Sequence, residues 1–254
     1  MNNTGKSEED TKGKAKEEAK EAASATPQAS SSSSSQPKRH FTLLIDKSGS
    51  MTTRDCPNGR SRWELAKDAA KAFAQVCCTF DADHTVDVFF FGSRGKDEHM
   101  AVRSGSDIEA RFARGPTEGT YLAGCLQKAI ELVPYDQLHT IMVITDGEAS
   151  DKGPLEKVLV EASHKIARDE CLAISFIQVG QDKGARRFLK MLDDDLTGCK
   201  FDIVDTKACR DSHSTAPPHT PHSERSGLTG CFHQSCDEVA QIGLIETLRQ
   251  AITD

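Results

Sequence analysis

The apolar run Phe41-Thr-Leu-Leu-Ile45 ends abruptly in Asp46-Lys-Ser-Gly-Ser50, and the spacing of apolar positions then changes. From Trp63 to Phe80 they recur at Leu65, Ala69, Ala72, Phe73 and Val76, which is the stripe of one helix face. Val86 to Phe91 is a continuous β-branched and aromatic run bounded by polar residues and Gly92, the pattern of a strand buried on both faces. A short edge strand is expected at 99–102. Further strands are expected at 139–145, 172–179 and 200–204, and helices at 107–113, 121–132, 154–169, 183–194 and 237–252. Strands alternating with helices in this way imply an α/β fold, a doubly wound, mostly parallel, Rossmann-like sheet with helices on both faces.

Two stretches fall outside this rhythm. Residues 1–37 contain no Val, Ile, Leu, Phe, Tyr, Trp or Cys, alternate Lys with Glu from Lys6 to Glu21, and include the serine run 30–35. Such a segment buries too little apolar surface to offset its ordering entropy, so it reads as a disordered tail tethering a domain at 38–254. Residues 207–236 are rich in Ser, Thr, Pro, His and Gly, and would connect the last strand to the closing helix as a mobile insert far longer than usual loops. Setting both aside leaves about 187 residues, enough for one good core.

A net charge of −7 argues against a chain that chiefly neutralises nucleic-acid phosphates or coats anionic membranes, so neither partner is expected. The first thirty residues show neither a hydrophobic segment nor a small-residue cleavage site, and no run of 18 apolar residues exists. A cytoplasmic location is the expectation. The nine cysteines are odd in number, and Cys77, Cys78, Cys125 and Cys171 stand where small apolar residues would, so they read as buried hydrophobes and not as a disulfide framework.

The candidate chemistry lies where strands end. Asp46, Ser48 and Ser50 follow the first strand, at the carboxyl end where open parallel sheets place ligands. Hard oxygens packed this closely suit Mg²⁺, although so short a pattern also recurs by chance. The strand at 139–145 also ends in a carboxylate followed by glycine, Asp146-Gly147. Between them, the turn-rich Gly115-Pro-Thr-Glu-Gly-Thr120 presents a hydroxyl at the start of a helix. If the two strands are neighbours at the topological switch point, the three loops share one crevice. Taken singly, each residue has a plainer role: Ser50 and Thr120 as helix caps, Asp146 as an acceptor for turn amides.

These motifs together resemble the von Willebrand factor type A domain family, whose fold is I-domain-like and carries a metal-ion-dependent adhesion site. The resemblance covers about residues 38–206 and 237–254, and the style of Asp46-Lys-Ser-Gly-Ser-Met51 and Phe201-Asp-Ile-Val-Asp205 is that of its intracellular members. It implies that Asp46, Ser48, Ser50, Thr120 and Asp146 hold Mg²⁺ or Mn²⁺, with one coordination position open to an Asp or Glu exposed on a partner protein. The insert at 207–236 departs from the pattern.

Other signals are weaker. Cys231-x-His233-x2-Cys236, with Cys209 nearby, has zinc-like proximity but no standard paired spacing, so a flexible polar insert is favoured over a zinc site. The histidines at 84, 99, 139 and 164 suit surface or satisfied structural roles, and Arg186, Arg187 and Lys190 a solvated helix face. No Walker, G-x-G-x-x-G or G-x-S-x-G pattern occurs. The expectation is a non-enzymatic, Mg²⁺-dependent protein-binding module. The alternative is a metal-dependent hydrolase or phosphotransferase in the same crevice, for which Glu148, Glu118 and Asp55 are the candidate bases.

Overall fold

The computed structural model describes residues 39–208 apart from residue 118. The expected tail at 1–37, the helix at 237–252 and nearly all of the insert lie outside the described residues. Six strands form one sheet: β1 (Arg39–Asp46), β2 (Val86–Phe91), β3 (Glu98–Val102), β4 (Leu138–Thr145), β5 (Leu172–Gln178) and β6 (Val204–Ala208). Their order is β3-β2-β1-β4-β5-β6, with only β3 antiparallel to its neighbour. The chain therefore steps one way from β1 to β2 and the other way to β4, which puts the switch point between β1 and β4.

The helices are α1 (Arg62–Phe80), α2 (Gly105–Phe112), α3 (Ala123–Ile130), α4 (Lys152–Lys165) and α5 (Lys183–Asp194). Alternation along the strands sends side chains into two cores. Phe41, Leu43, Ile45, Val88 and Phe90 pack with α1 and α2 on one face, while Leu44, Phe89, Ile141, Val143 and Phe176 pack with α3, α4 and α5 on the other. Full burial of both faces explains why β1, β2 and β4 read as continuous apolar runs. The four cysteines assigned to the interior are buried in these cores, as expected of small hydrophobes.

Local chemistry fixes the ends of α1. Ser61 accepts the Glu64 amide while the Glu64 carboxylate accepts the Ser61 amide, a capping box that starts the helix after an irregular loop. At the far end Asp81 stops it and accepts the Phe41 amide at 2.8 Å, tying helix to strand.

The expected boundaries shift by a few residues, most for the last strand, which runs over 204–208 and not 200–204. Its ladder to β5 begins at Val204, while Ile203 is buried just before it and its carbonyl accepts the Ile174 amide. The apolar signal at 201–204 marks burial of the approach, and pairing starts only where that approach ends. His139 is an internal histidine, 2.8 Å from the Thr42 hydroxyl and pushed down to about 3 by burial, so it stays neutral.

Close helix packing depends on one glycine. A Cβ at Gly105, the first residue of α2, would lie 2.7 Å from the Lys71 carbonyl oxygen on α1. Gly105→Ala should lower unfolding free energy by about 1–3 kcal/mol, measured by denaturant titration, because backbone must yield there. Unchanged stability would show that the two helices separate freely.

Candidate functional site

Asp46 and Asp146 stand at the carboxyl ends of β1 and β4, which pair directly in parallel register. Both side chains are wholly buried. Asp46 Oδ1 accepts the Ser48 amide at 2.8 Å, and its Oδ2 accepts the Thr145 hydroxyl at 2.7 Å. The Ser48 and Ser50 hydroxyls are 3.0 Å apart, and Ser50 Oγ donates to Asp146 Oδ1 at 2.9 Å. At the switch point Asp146 is thus linked to the serine hydroxyls, and Asp46 to the Ser48 amide and the Thr145 hydroxyl.

The third loop is fastened over this pair. The Thr117 amide donates to the Lys47 carbonyl, the Tyr121 amide to the Gly92 carbonyl, and the Ser150 amide to the Thr120 carbonyl. Thr120 is half-buried in that loop, and its hydroxyl bonds to no partner among the described residues. The convergence of three loops expected from the sequence is therefore present.

The capping roles weighed for these residues are not what the structure uses. The start of α3 is held by Asp151, whose carboxylate accepts the Leu122 and Ala123 amides. Ser50 turns toward Asp146, and Asp146 accepts from side chains and not from turn amides.

The electrostatics are unfavourable in the cation-free chain. Burial, with the repulsion of Asp146 second, pushes Asp46 up to about 6. Burial also raises Asp146, while the Arg62 guanidinium and the Ser50 hydroxyl pull it back.

Arg62 is the participant that sequence reasoning missed. Its Nη1 donates to Asp146 Oδ2 at 2.9 Å, while Nε and Nη2 donate to the two oxygens of Asp55 at 2.9 and 2.6 Å. The guanidinium lies under Gly180, whose φ is +77° and where a Cβ would come within 2.3 Å of Nε. The available signal was its place at the first position of α1, where a cation opposes the helix dipole and needs another reason to be there. Arg62 also occupies both oxygens of Asp55, and Glu148 pairs with Lys152, so two of the three candidate bases are engaged in ion pairs. Glu118 lies outside the described residues.

A second group of potential ligands, His40, Asp81 and Asp83, has its ligand atoms within 4.8 Å of one another. It sits at the amino end of β1, about 20 Å of strand from Asp46, so it belongs to the opposite end of the sheet. No helix among the described residues is long and apolar enough to cross a membrane.

The raised Asp46 has a definite consequence for stability. Its folded value exceeds its unfolded one, so its contribution is fully present below about pH 4 and is lost as pH rises through about 6. Asp46→Asn should raise the cation-free melting temperature at pH 7.5, with a gain on the order of 1–3 kcal/mol, and should flatten the decline between pH 4 and 6. A lower melting temperature at pH 7.5 would contradict the repulsion. Arg62→Met should destabilise the chain by about 2–4 kcal/mol in thermal scans, since it strands a buried carboxylate.

The sequence pattern of the von Willebrand factor type A domain matches residues 41–148, a span that contains Asp46, Ser48, Ser50, Thr120 and Asp146. Copine-C of Dictyostelium discoideum is 30% identical over 159 residues, which is 54% of this chain and 28% of that protein, so the chain matches little more than a quarter of its curated relative. The fold is similar to that of the minor pilin PilB of Streptococcus sanguinis, with a TM-score of 0.54 and 12% identity over 85% of this chain and 62% of that one. It is also similar to the pilus adhesin SpaC of Lactobacillus rhamnosus GG, with a TM-score of 0.53 and 12% identity over 86% and 31% of the two chains. With its six-stranded sheet, the β1–β4 switch point and the match across 41–148, the chain contains a von Willebrand factor type A domain.

Proposed function

We propose that this chain is a divalent-cation-dependent protein-binding module, in which Asp46, Ser48, Ser50, Thr120 and Asp146 hold Mg²⁺ or Mn²⁺ and a partner's Asp or Glu completes the shell. One observation carries the reading. Two buried carboxylates of like charge stand at the ends of adjacent strands, Asp146 bonded to the Ser50 hydroxyl and Asp46 to the Ser48 amide, and no helix amide among the described residues uses those serine hydroxyls as caps. The donor set is entirely oxygen, which fits a hard cation.

The chain's own residues divide the work. Asp46 supplies charge, held in orientation by the Ser48 amide and the Thr145 hydroxyl. Asp146 keeps Oδ1 toward the serines while Arg62 holds Oδ2. Ser48, Ser50 and Thr120 are neutral, so they bind without saturating the ion's charge, and Thr120 has a hydroxyl uncommitted among the described residues. A bound divalent ion would relieve the repulsion between the aspartates and retain an attraction for an incoming carboxylate. Two of the weighed bases are committed to ion pairs, which supports binding over hydrolysis.

Asp46→Ala and Asp146→Ala should each abolish Mg²⁺ binding measured by calorimetry, while circular dichroism shows the fold retained. Thr120→Ala should weaken binding by about tenfold, the loss of one hydroxyl ligand with both carboxylates kept. Wild-type affinity in both aspartate variants would overturn the assignment.

A further inference from the structure

The chain is acidic overall, yet one flank of the crevice is not. Lys47 follows Asp46 directly, and its buried side chain runs past Gly92, where a Cβ would lie 3.0 Å from Lys47 Cγ. It donates to the Lys96 carbonyl at 3.0 Å and to Glu98 Oε1 at 2.7 Å. Arg111 reaches the same carboxylate from α2, its Nη2 donating to Oε1 at 2.6 Å while its guanidinium stacks 4.5 Å from the centroid of the Phe90 ring. Arg114 Nη1 is 3.3 Å from Oε2. One carboxylate therefore faces three cations.

Two features leave positive charge in excess of the single Glu98 carboxylate. Arg111 is only 7% exposed, yet its Nε and Nη1 are buried without a hydrogen-bond partner, Nε lying close to Glu98 Oε2 without hydrogen-bond alignment. Arg114 is 73% exposed, with its outer face open to solvent. Lys96 and Arg94 stand exposed in the adjoining turn, while the nearby Asp97 is paired with Lys128. Around the rest of the rim the described charges balance: Asp55 with Arg62, Glu148 with Lys152, and Asp151 and Asp182 on helix-start amides.

The spacing relates this flank to the metal site. Asp46 is level with Phe91 on β2, and Phe90 is level with Glu98 on β3, so Glu98 lies at the same end of the sheet, two strand spacings or about 10 Å away. An extended segment covers about 10–15 Å in three to five residues.

We infer that the partner's segment is acidic at two points, one carboxylate meeting the cation and a second, three to five residues along, meeting the exposed Arg114 beside Glu98, with buried Arg111 and Lys47 adding to the positive field there. This rests on the proposed function and extends it to the class of partner. It also supplies the local attraction that a chain of net charge −7 needs to capture an acidic ligand.

The test uses the whole chain and two labelled peptides in a Gly/Ser background, one with a single glutamate and one with a second glutamate about four residues on. Anisotropy in saturating Mg²⁺ should show the second peptide binding about three- to tenfold tighter, with the gain shrinking as salt rises. Arg114→Ser should remove that gain, and Arg114→Lys should keep part of it. Affinity for Mg²⁺ and for the single-acid peptide should be unchanged in both variants, which separates recognition from folding. Equal affinity of the two peptides, each still requiring Mg²⁺, would overturn this inference alone. Failure of either peptide to bind with Mg²⁺ would overturn the metal-dependent reading and this inference with it. Arg114-dependent binding to phosphatidylserine vesicles, without a gain from the second glutamate, would assign the basic flank to a membrane and also overturn it.

Discussion

Two aspartates buried side by side at the ends of adjacent parallel strands carry like charges out of water, and the loops at this end of the sheet are arranged around that conflict. Asp46 is held up to about 6, a departure of about two pH units that corresponds to roughly 3 kcal/mol at neutral pH. A domain tolerates such a cost where it serves a purpose, because native stability is itself only about 5–15 kcal/mol. The strain sits at the topological switch point, where helices from both faces begin and three loops converge.

Arg62 offsets part of this conflict within the fold. It neutralises Asp146 from below, is itself held by Asp55, and fits only because Gly180 leaves room beside it. The arrangement links the β1–α1 loop, the end of β4 and the β5–α5 loop through a single guanidinium. It also fixes which oxygen of Asp146 remains toward the serines. On the opposite flank, Lys47 carries charge from the residue next to Asp46 toward β3, so one pentapeptide contributes to both an anionic centre and a cationic border.

Much of this was legible in the sequence, for physical reasons. Strands buried on both faces must be continuously apolar, so β1, β2 and β4 were readable along with the doubly wound order they imply. The five candidate ligands were readable because they follow strand ends or open a helix, positions fixed by topology. Arg62 was not, because its partners Asp55 and Asp146 lie seven and 84 residues away and its significance depends on their convergence. The cluster around Glu98 was hidden for the same reason: Lys47, Glu98, Arg111 and Arg114 meet only after β3 turns back against β2. The start of β6 was misplaced because apolar content reports burial, whereas pairing depends on the register against β5.

A divalent ion held between Asp46 and Asp146, as proposed, is open to direct observation. Diffraction from crystals grown with Mn²⁺, with anomalous differences collected near its absorption edge, examines that directly. Mn²⁺ held by the proposed ligands gives an anomalous peak within coordination distance of Asp46, Ser48 and Ser50 and facing Asp146 Oδ1. A peak at His40, Asp81 and Asp83 with none at the crevice would contradict it.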